Sequence, residues 1–235
     1  FKFSRKKKSI FEVIYILWKY YYYLKKIKPQ LYFSYTIKPN LLGGLVANFL
    51  KIHTIINFTG LGTLVLNESY SNKFILFFLK LILKKSSIVF FHNNYDLKIL
   101  KHKKLIKNSH YQVIPGSGVD LIKFKFSPLF IVKNNINFLF IGRIIKDKGI
   151  VEFINAANFI KKKYLNTKFI VLGEYDNDNI SNLTSKQISF INNNNSVEFV
   201  GFKKNIIQYI VDSTCVVLPS YREGLSKSLL EACSI

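Results

Sequence analysis

The sequence predicts an α/β protein made of two Rossmann-like units, each a parallel, doubly wound sheet. Two observations carry this. Short apolar, β-branched runs alternate with longer segments of helical periodicity along the whole chain, and strands that alternate with helices pair in parallel. The alternation lapses over residues 121–134, around Pro128, and then restarts. A linker there separates a unit at residues 1–126 from a second at 135–235, and two such units facing each other enclose a cleft, a preferred place for ligands.

In the first unit, Ile10, Val13, Ile14, Leu17, Trp18, Tyr21 and Leu24 recur at three- and four-residue spacing and predict a helix over 9–27. Arg5 to Lys8 precede it, Lys25, Lys26 and Lys28 follow it, and Tyr20 to Tyr23 lie within it. Such a helix can lie in a membrane interface; the plainer reading is a core helix with basic ends. Leu31 to Ser34 is a strand, and Pro39-Asn40 opens a helix to Leu50. Thr54 to Phe58 is a strand ending in Thr59-Gly60-Leu61-Gly62, whose Gly60 and Gly62 can bring backbone amides to a ligand. A helix over 71–84, a strand from Ser87 to Phe91 followed by His92, a helix over 94–106 and a strand from Gln112 to Ile114 complete the unit. The last strand ends at Pro115-Gly116-Ser117-Gly118.

In the second unit, Asn137 to Ile141 is a strand, followed by a helix from about Lys148 to Lys163. Lys168 to Leu172 and Val197 to Val200 are strands ending in Gly173 and Gly201. A helix over 203–212 leads to Cys215 to Leu218, a short apolar run that reads as a buried strand. Pro219-Ser220 ends it, and a helix-like run carrying Glu223 and Glu231 follows. That strand–loop–helix order places the loop at the carboxyl edge of a sheet, where open α/β folds bind ligands. Asn192 to Asn195 reads as a loop tip.

Charge is unevenly placed. The net charge of the 235 residues is +22; residues 1–126 hold 22 Lys/Arg against four Asp/Glu, a net of +18, and residues 127–235 hold 13 against nine, a net of +4. A basic half suits an anionic partner, nucleic acid or anionic lipid, or is a solvated lysine-biased surface. The charge is scattered and no nucleic-acid recognition motif is present, which argues against nucleic acid. Two cysteines, Cys215 and Cys233, are too few for a disulfide framework and suit a reducing compartment. No uncharged apolar run reaches the 18 residues of a membrane span. The chain has no methionine, and Leu229 to Ile235 break off within a helical pattern, so the expectation is a fragment cut at both ends.

Two motifs carry chemistry. Gly142-Arg143 ends a strand, and Arg143 and Lys148 lie five residues apart at the start of a helix. Helix N-termini attract anions, and Arg offers a planar fork for phosphate oxygens where Lys offers a point charge. This is a candidate diphosphate clamp; alternatively it is a basic surface turn. Glu223 and Glu231, eight residues apart, rise about 12 Å if both are helical, a span that suits the two ends of one polyhydroxylated ligand. It exceeds the roughly 5–9.5 Å between the paired carboxylates of glycoside hydrolysis. No Walker A loop, GxGxxG fingerprint or nucleophile elbow occurs. Asp176-Asn177-Asp178 reads as a solvated turn, and the four histidines lack metal-ligand spacing.

Gly142-Arg143…Lys148-Gly149, the strand-ending Gly173 and Gly201, and Pro219-Ser220…Glu223-Gly224…Glu231-Ala232 together resemble the GT-B glycosyltransferases of family GT4, whose E-x7-E motif the last stretch matches. Tyr35 to Asn40 with Gly43-Gly44, Thr59 to Gly62, Phe91-His92-Asn93 and Pro115 to Asp120 resemble the branch that builds capsule, O-antigen and lipid-linked glycans; relatives often carry Gln where this chain has His92. The resemblance implies a retaining transfer from a nucleotide-diphosphate sugar to a lipid-diphosphate-linked glycan, with no cofactor and no obligatory metal. It assigns Arg143 and Lys148 to the diphosphate. Glu223, with the backbone N–H groups of Gly224, Leu225 and Ser226, goes to the donor sugar, and Glu231 to the ribose. Gly60, Gly62, His92 and Gly116 are candidates for the facing wall of the cleft. It also implies peripheral contact with an anionic membrane at its cytoplasmic face and no nucleic-acid partner. A nucleotide-sugar epimerase of the same fold is the alternative enzyme, and a basic nucleic-acid-binding protein the alternative outside enzymes.

Overall fold

The structure, a computed structural model, describes residues 10–61, 70–106, 110–128, 136–179 and 181–235. They fall into two compact units divided between Ser117 and Gly118. Residues 118–126, assigned above to the first unit, therefore go with the second. Asp120 shapes this segment: its carboxylate accepts from the amides of Ile122 (3.0 Å) and Lys123 (3.1 Å). Phe124 is buried, and the Ser127 amide donates to the Ile235 carbonyl at 2.8 Å. An irregular turn has no period, so the sequence shows no boundary there.

In the first unit the order is α1 (Ile10–Ile27), β1 (Leu31–Tyr35), α2 (Ile37–Phe49), β2 (His53–Phe58), α3 (Tyr70–Lys85), β3 (Ile88–Phe91), α4 (Asn94–His102) and β4 (Tyr111–Val113). The four strands lie in the order β1-β2-β3-β4, all parallel. Ile56, Phe58, Leu79, Ile82, Val89, Phe91 and Leu100 form its core, with the Phe58 and Phe91 rings stacked at 5.3 Å. Asn93 caps α4, its side chain accepting from the Asp96 amide at 2.7 Å. Helix α1 departs from the predicted apolar stripe. It buries Ile16, Tyr20 and Leu24, one turn apart, and leaves Ile10, Ile14 and Trp18 exposed. A helix apolar nearly all round does not reveal from periodicity which side faces the core.

The second unit runs β5 (Ile136–Ile141), a 3₁₀ turn (Lys146–Lys148), α5 (Ile150–Lys161), β6 (Thr167–Leu172), α6 (Ser185–Asn192), β7 (Glu198–Gly201), α7 (Ile207–Val211), β8 (Cys215–Val216) and α8 (Lys227–Ser234). Its sheet is parallel, in the order β7-β6-β5-β8. Alternate residues of β5 serve opposite faces: Phe140 joins Phe153, Ile154 and Phe169, whereas Leu139 and Ile141 join Leu172 and Ile210. Burial on both faces explains the continuous apolar run of this strand. Helix α6 is absent from the sequence reading. Its signal was the capping box in which Thr184 and Gln187 satisfy each other's backbone amides; a polar helix that buries only Ile191 has little periodicity to read. Strand β8 is shorter than expected, and Cys215 is exposed, not buried; among the described residues β8 pairs with β5 alone.

Candidate functional site

In the second unit the chain leaves β5 towards β6 and β7, then returns to place β8 on the other side of β5. The strand order reverses there, and at such a switch point the loops after the two strands part and leave a crevice. The loop after β5 holds Arg143 and Lys148. The loop after β8 holds Glu223, Gly224, Leu225 and Ser226. The two groups of candidates are thus brought to one place by topology, although about 80 residues lie between them.

The loops are joined by direct contacts. Lys148 Nζ donates to Glu223 Oε1, with both side chains more than two-thirds buried. The Tyr221 amide donates to the Asp147 carbonyl at 3.0 Å. Gly149 ends the 3₁₀ turn at φ 72°, and a Cβ there would lie 2.1 Å from the Pro219 carbonyl oxygen. Only glycine allows both the left-handed turn and the approach of the second loop.

Arg143 Nη1 donates to Asp176 Oδ2 at 2.7 Å, and Asn179 Nδ2 donates to the same oxygen at 3.2 Å. Beside this pair a cavity of about 500 Å³ opens over the ends of β5, β6 and β7. Ile141, Leu172, Phe202 and Ile206 give it apolar walls, and Arg143, Lys203, Glu174 and Asp176 give it charged groups of both signs. Apolar walls with a few placed charges suit a flat ring bearing an anionic chain. Asp176 is a correction: its side chain is 11% exposed and paired with Arg143, not part of a solvated turn. Its position just beyond the glycine that ends β6 was the available signal. Phe202 and Lys203, just beyond Gly201, were missed for the same reason.

Glu223 does not lie on a helix. Helix α8 begins at Lys227, with Ser226 as its cap: Ser226 Oγ accepts from the Leu229 amide at 3.4 Å. The 12 Å helical spacing predicted for Glu223 and Glu231 therefore does not apply, and the argument that excluded glycoside hydrolysis on that spacing falls with it. Glu231 is on α8 and buried, with Lys227 Nζ 3.8 Å from its carboxylate. Ser228 Oγ donates to the Ile141 carbonyl at 3.3 Å, which fixes the start of α8 against the end of β5. Arg143, Lys148, Glu223 and the α8 start thus share the carboxyl edge at the β5–β8 switch.

In the first unit, Gly60, His92 and Gly116 follow β2, β3 and β4 and so share that sheet's carboxyl edge. Gly62 lies outside the described residues. Gly60 has φ 153° and Gly116 φ 65°. The Leu61 amide donates to buried Asp96 at 3.2 Å. His92 Nε2 is buried and has no hydrogen-bond partner among the described residues. Burial lowers the His92 pKa, and the Asp96 charge opposes that, so the ring is neutral at pH 7.

Comparison with solved structures supports a GT-B-like α/β fold. Sucrose-phosphate synthase from Thermosynechococcus elongatus superposes with a TM-score of 0.70 at 18% identity, over 94% of this chain and 57% of that one. Anabaena HepE in complex with UDP and glucose superposes with a TM-score of 0.69 at 18% identity, over 94% and 59%. Residues 122–235 match the model of the family described as glycosyl transferases group 1. An N,N'-diacetylbacillosaminyl-diphospho-undecaprenol alpha-1,3-N-acetylgalactosaminyltransferase of Campylobacter jejuni is 26% identical, over 99% of this chain and 64% of the relative. A UDP-Gal:alpha-D-GlcNAc-diphosphoundecaprenol alpha-1,3-galactosyltransferase of Escherichia coli is 26% identical, over 90% and 57%. The capsular polysaccharide biosynthesis glycosyltransferase CapM of Staphylococcus aureus is 29% identical, over 57% and 38%. The chain spans less than two thirds of the length of each of these curated relatives.

Proposed function

We propose that this chain forms the donor site, and part of the acceptor side, of a retaining glycosyltransferase. It moves a sugar from a nucleotide-diphosphate sugar to a lipid-diphosphate-linked glycan in cell-surface polysaccharide assembly. The observation that carries this is the direct contact of Lys148 with Glu223. The bond broken in such a transfer joins the sugar to the diphosphate. A cation for the phosphate and a carboxylate for the sugar must therefore be neighbours, and here they touch.

In this reading Lys148 and Arg143 hold the diphosphate and stabilise the charge that develops as it leaves, the largest contribution expected in such catalysis. Glu223 and the backbone of Gly224, Leu225 and Ser226 hold the sugar, and buried Glu231 accepts from the ribose hydroxyls. The cavity beside Phe202 takes the base. The cations supply the compensating charge, so no metal is required, and turnover persists in a chelator. The Campylobacter and Escherichia relatives, named for undecaprenol-diphosphate substrates, support the acceptor class.

Among the described residues no helix is long and apolar enough to cross a membrane. Peripheral contact with the inner membrane face is supported by α1, where exposed Phe11, Tyr15, Trp18 and Tyr22 form one stripe. Tyr15 and Trp18 stack at 6.4 Å, Trp18 and Tyr22 at 5.7 Å. Lys19 and Lys26 lie over the Tyr15 and Tyr22 rings. Aromatic rings edged by lysines suit the headgroup layer.

The test is calorimetric binding of UDP and of a panel of UDP- and GDP-sugars, followed by transfer to a polyprenyl-diphosphate sugar. Lys148→Ala and Arg143→Ala weaken nucleotide binding and cut turnover. Unchanged binding in both variants defeats the site assignment, and isomerised donor without transfer identifies an epimerase instead.

A further inference from the structure

The first unit has a second cavity, of about 440 Å³, at the sheet edge opposite to Gly60, His92 and Gly116. Helices α1 and α2 end here, and strands β1 and β2 begin here. Lys25, Lys28, Lys51 and His53 line it, over apolar Leu24, Leu50 and Ile52. No Asp or Glu lines it. Lys25 Nζ donates to the Tyr21 hydroxyl at 3.2 Å. Among the described residues, Lys28, Lys51 and His53 form no ion pair.

The backbone adds a second observation. Lys28 (φ 50°) and Lys51 (φ 59°) both adopt the left-handed conformation just past a helix end. Their amides close those ends, Lys28 onto the Leu24 carbonyl at 2.9 Å and Lys51 onto the Asn48 carbonyl at 3.2 Å. Glycine is the usual residue at such a position, since any side chain is disfavoured there. Three lysines of the first unit, Lys28, Lys51 and Lys104 (φ 53°), are held against that preference past helix ends, and two of the three line this one cavity. Next in sequence to lining residues, Ile27, Leu31 and Phe49 are exposed, and Phe49 meets the Tyr21 ring at 6.3 Å. Cations around a hollow with exposed apolar groups at its margin suit an anionic group carried on an apolar body. The net charge of +18 over residues 1–126 favours the same class of partner.

We propose that this cavity binds the phosphate of an anionic phospholipid headgroup. Lys28, Lys51, Lys25 and His53 surround the phosphate, and Ile27, Leu31 and Phe49 enter the interface beside it. The proposal rests on the membrane contact inferred above and gives it a specific site. It separates headgroup recognition from the aromatic stripe of α1.

The test is sedimentation of the full chain with phosphatidylglycerol-containing vesicles, against phosphatidylcholine vesicles alone. The variant is Lys28→Gly with Lys51→Gly; the control is Lys162→Gln with Lys163→Gln, which removes the same charge from exposed positions of the second unit. The glycine variant binds about thirtyfold more weakly, from two lost lysine contacts, and the control changes by less than about twofold. Because glycine relieves the left-handed strain, the glycine variant melts at the same or a higher temperature, so weaker binding is not lost folding. Equal losses in variant and control overturn the site while leaving membrane contact standing. No binding by the unaltered chain overturns both. If the glycine variant keeps its vesicle affinity but loses affinity for inorganic phosphate, the ligand is free phosphate and the lipid assignment fails.

Discussion

Substituting Gly149 by alanine tests whether the two loops at the β5–β8 switch form one device. Two separate costs follow. Gly149 is left-handed at φ 72°, and an L-residue there costs roughly 1–2 kcal/mol. Its new Cβ would also lie 2.1 Å from the Pro219 oxygen, where ordinary contact begins at 3.4 Å. The loop bearing Glu223 must therefore retreat by about 1.3 Å, and forced overlap of this kind adds roughly 1–3 kcal/mol. The expected total is about 2–5 kcal/mol, with a loss of about 10²-fold in turnover, the scale set by a 1 Å misplacement of catalytic groups. Gly118→Ala is the control. Gly118 is equally left-handed at φ 71°, but a Cβ there meets nothing within 4 Å, so it carries the first cost alone. Urea unfolding gives the stability difference, and UDP calorimetry with sugar-transfer rates gives the functional one. If Gly149→Ala matches Gly118→Ala in stability and leaves UDP affinity and transfer intact, the coupling of the two loops is refuted.

Arg143→Ala lowers turnover by about 10²–10³-fold, as for a lost oxyanion donor; a change in steady-state rate below tenfold defeats that role. Asp176→Asn weakens the hold on Arg143, and its kinetic signature is a raised KM for donor with a smaller change in kcat. Lys148→Met and Glu223→Gln are non-additive, with a coupling of roughly 0.5–3 kcal/mol in UDP-sugar affinity; simple additivity in calorimetry shows that their contact is incidental. His92 carries a depressed pKa from burial, so the unfolded chain binds the proton more readily. Its contribution to stability is complete above the ordinary histidine value and declines as pH falls below it. Urea unfolding at pH 5.5 and 7.5 therefore shows a smaller acid loss for His92→Gln than for the unaltered chain, and equal losses refute the assignment.

The parallel α/β architecture was legible in the sequence because strands buried on both faces must be apolar throughout. Phe138 to Ile141 and Phe169 to Leu172 declare themselves without any knowledge of their neighbours. The placement of Arg143, Lys148 and Glu223 at one sheet edge was legible for a related reason: each follows a strand end marked by glycine or proline, and in a parallel sheet every such loop falls on one edge. Two elements were not legible. The exposed side of α1 was hidden because tyrosine, tryptophan and isoleucine occupy both sides of that helix. Helix α6 was hidden because its cap is polar and its buried face is one residue.

The role of Asp176 is the clearest division between the two levels. Sequence sees an acid among asparagines, the composition of a solvated turn, and that local reading is sound as far as it goes. What changes it is that the loops after β5 and β6 run side by side, with the Ile144 amide on the Glu174 carbonyl at 2.8 Å, which sets Asp176 against Arg143. Local composition determines which residues can carry charge, turn the chain or fill a core. Which charge meets which is decided by strand order, because pairing in a sheet joins residues that the chain itself keeps far apart.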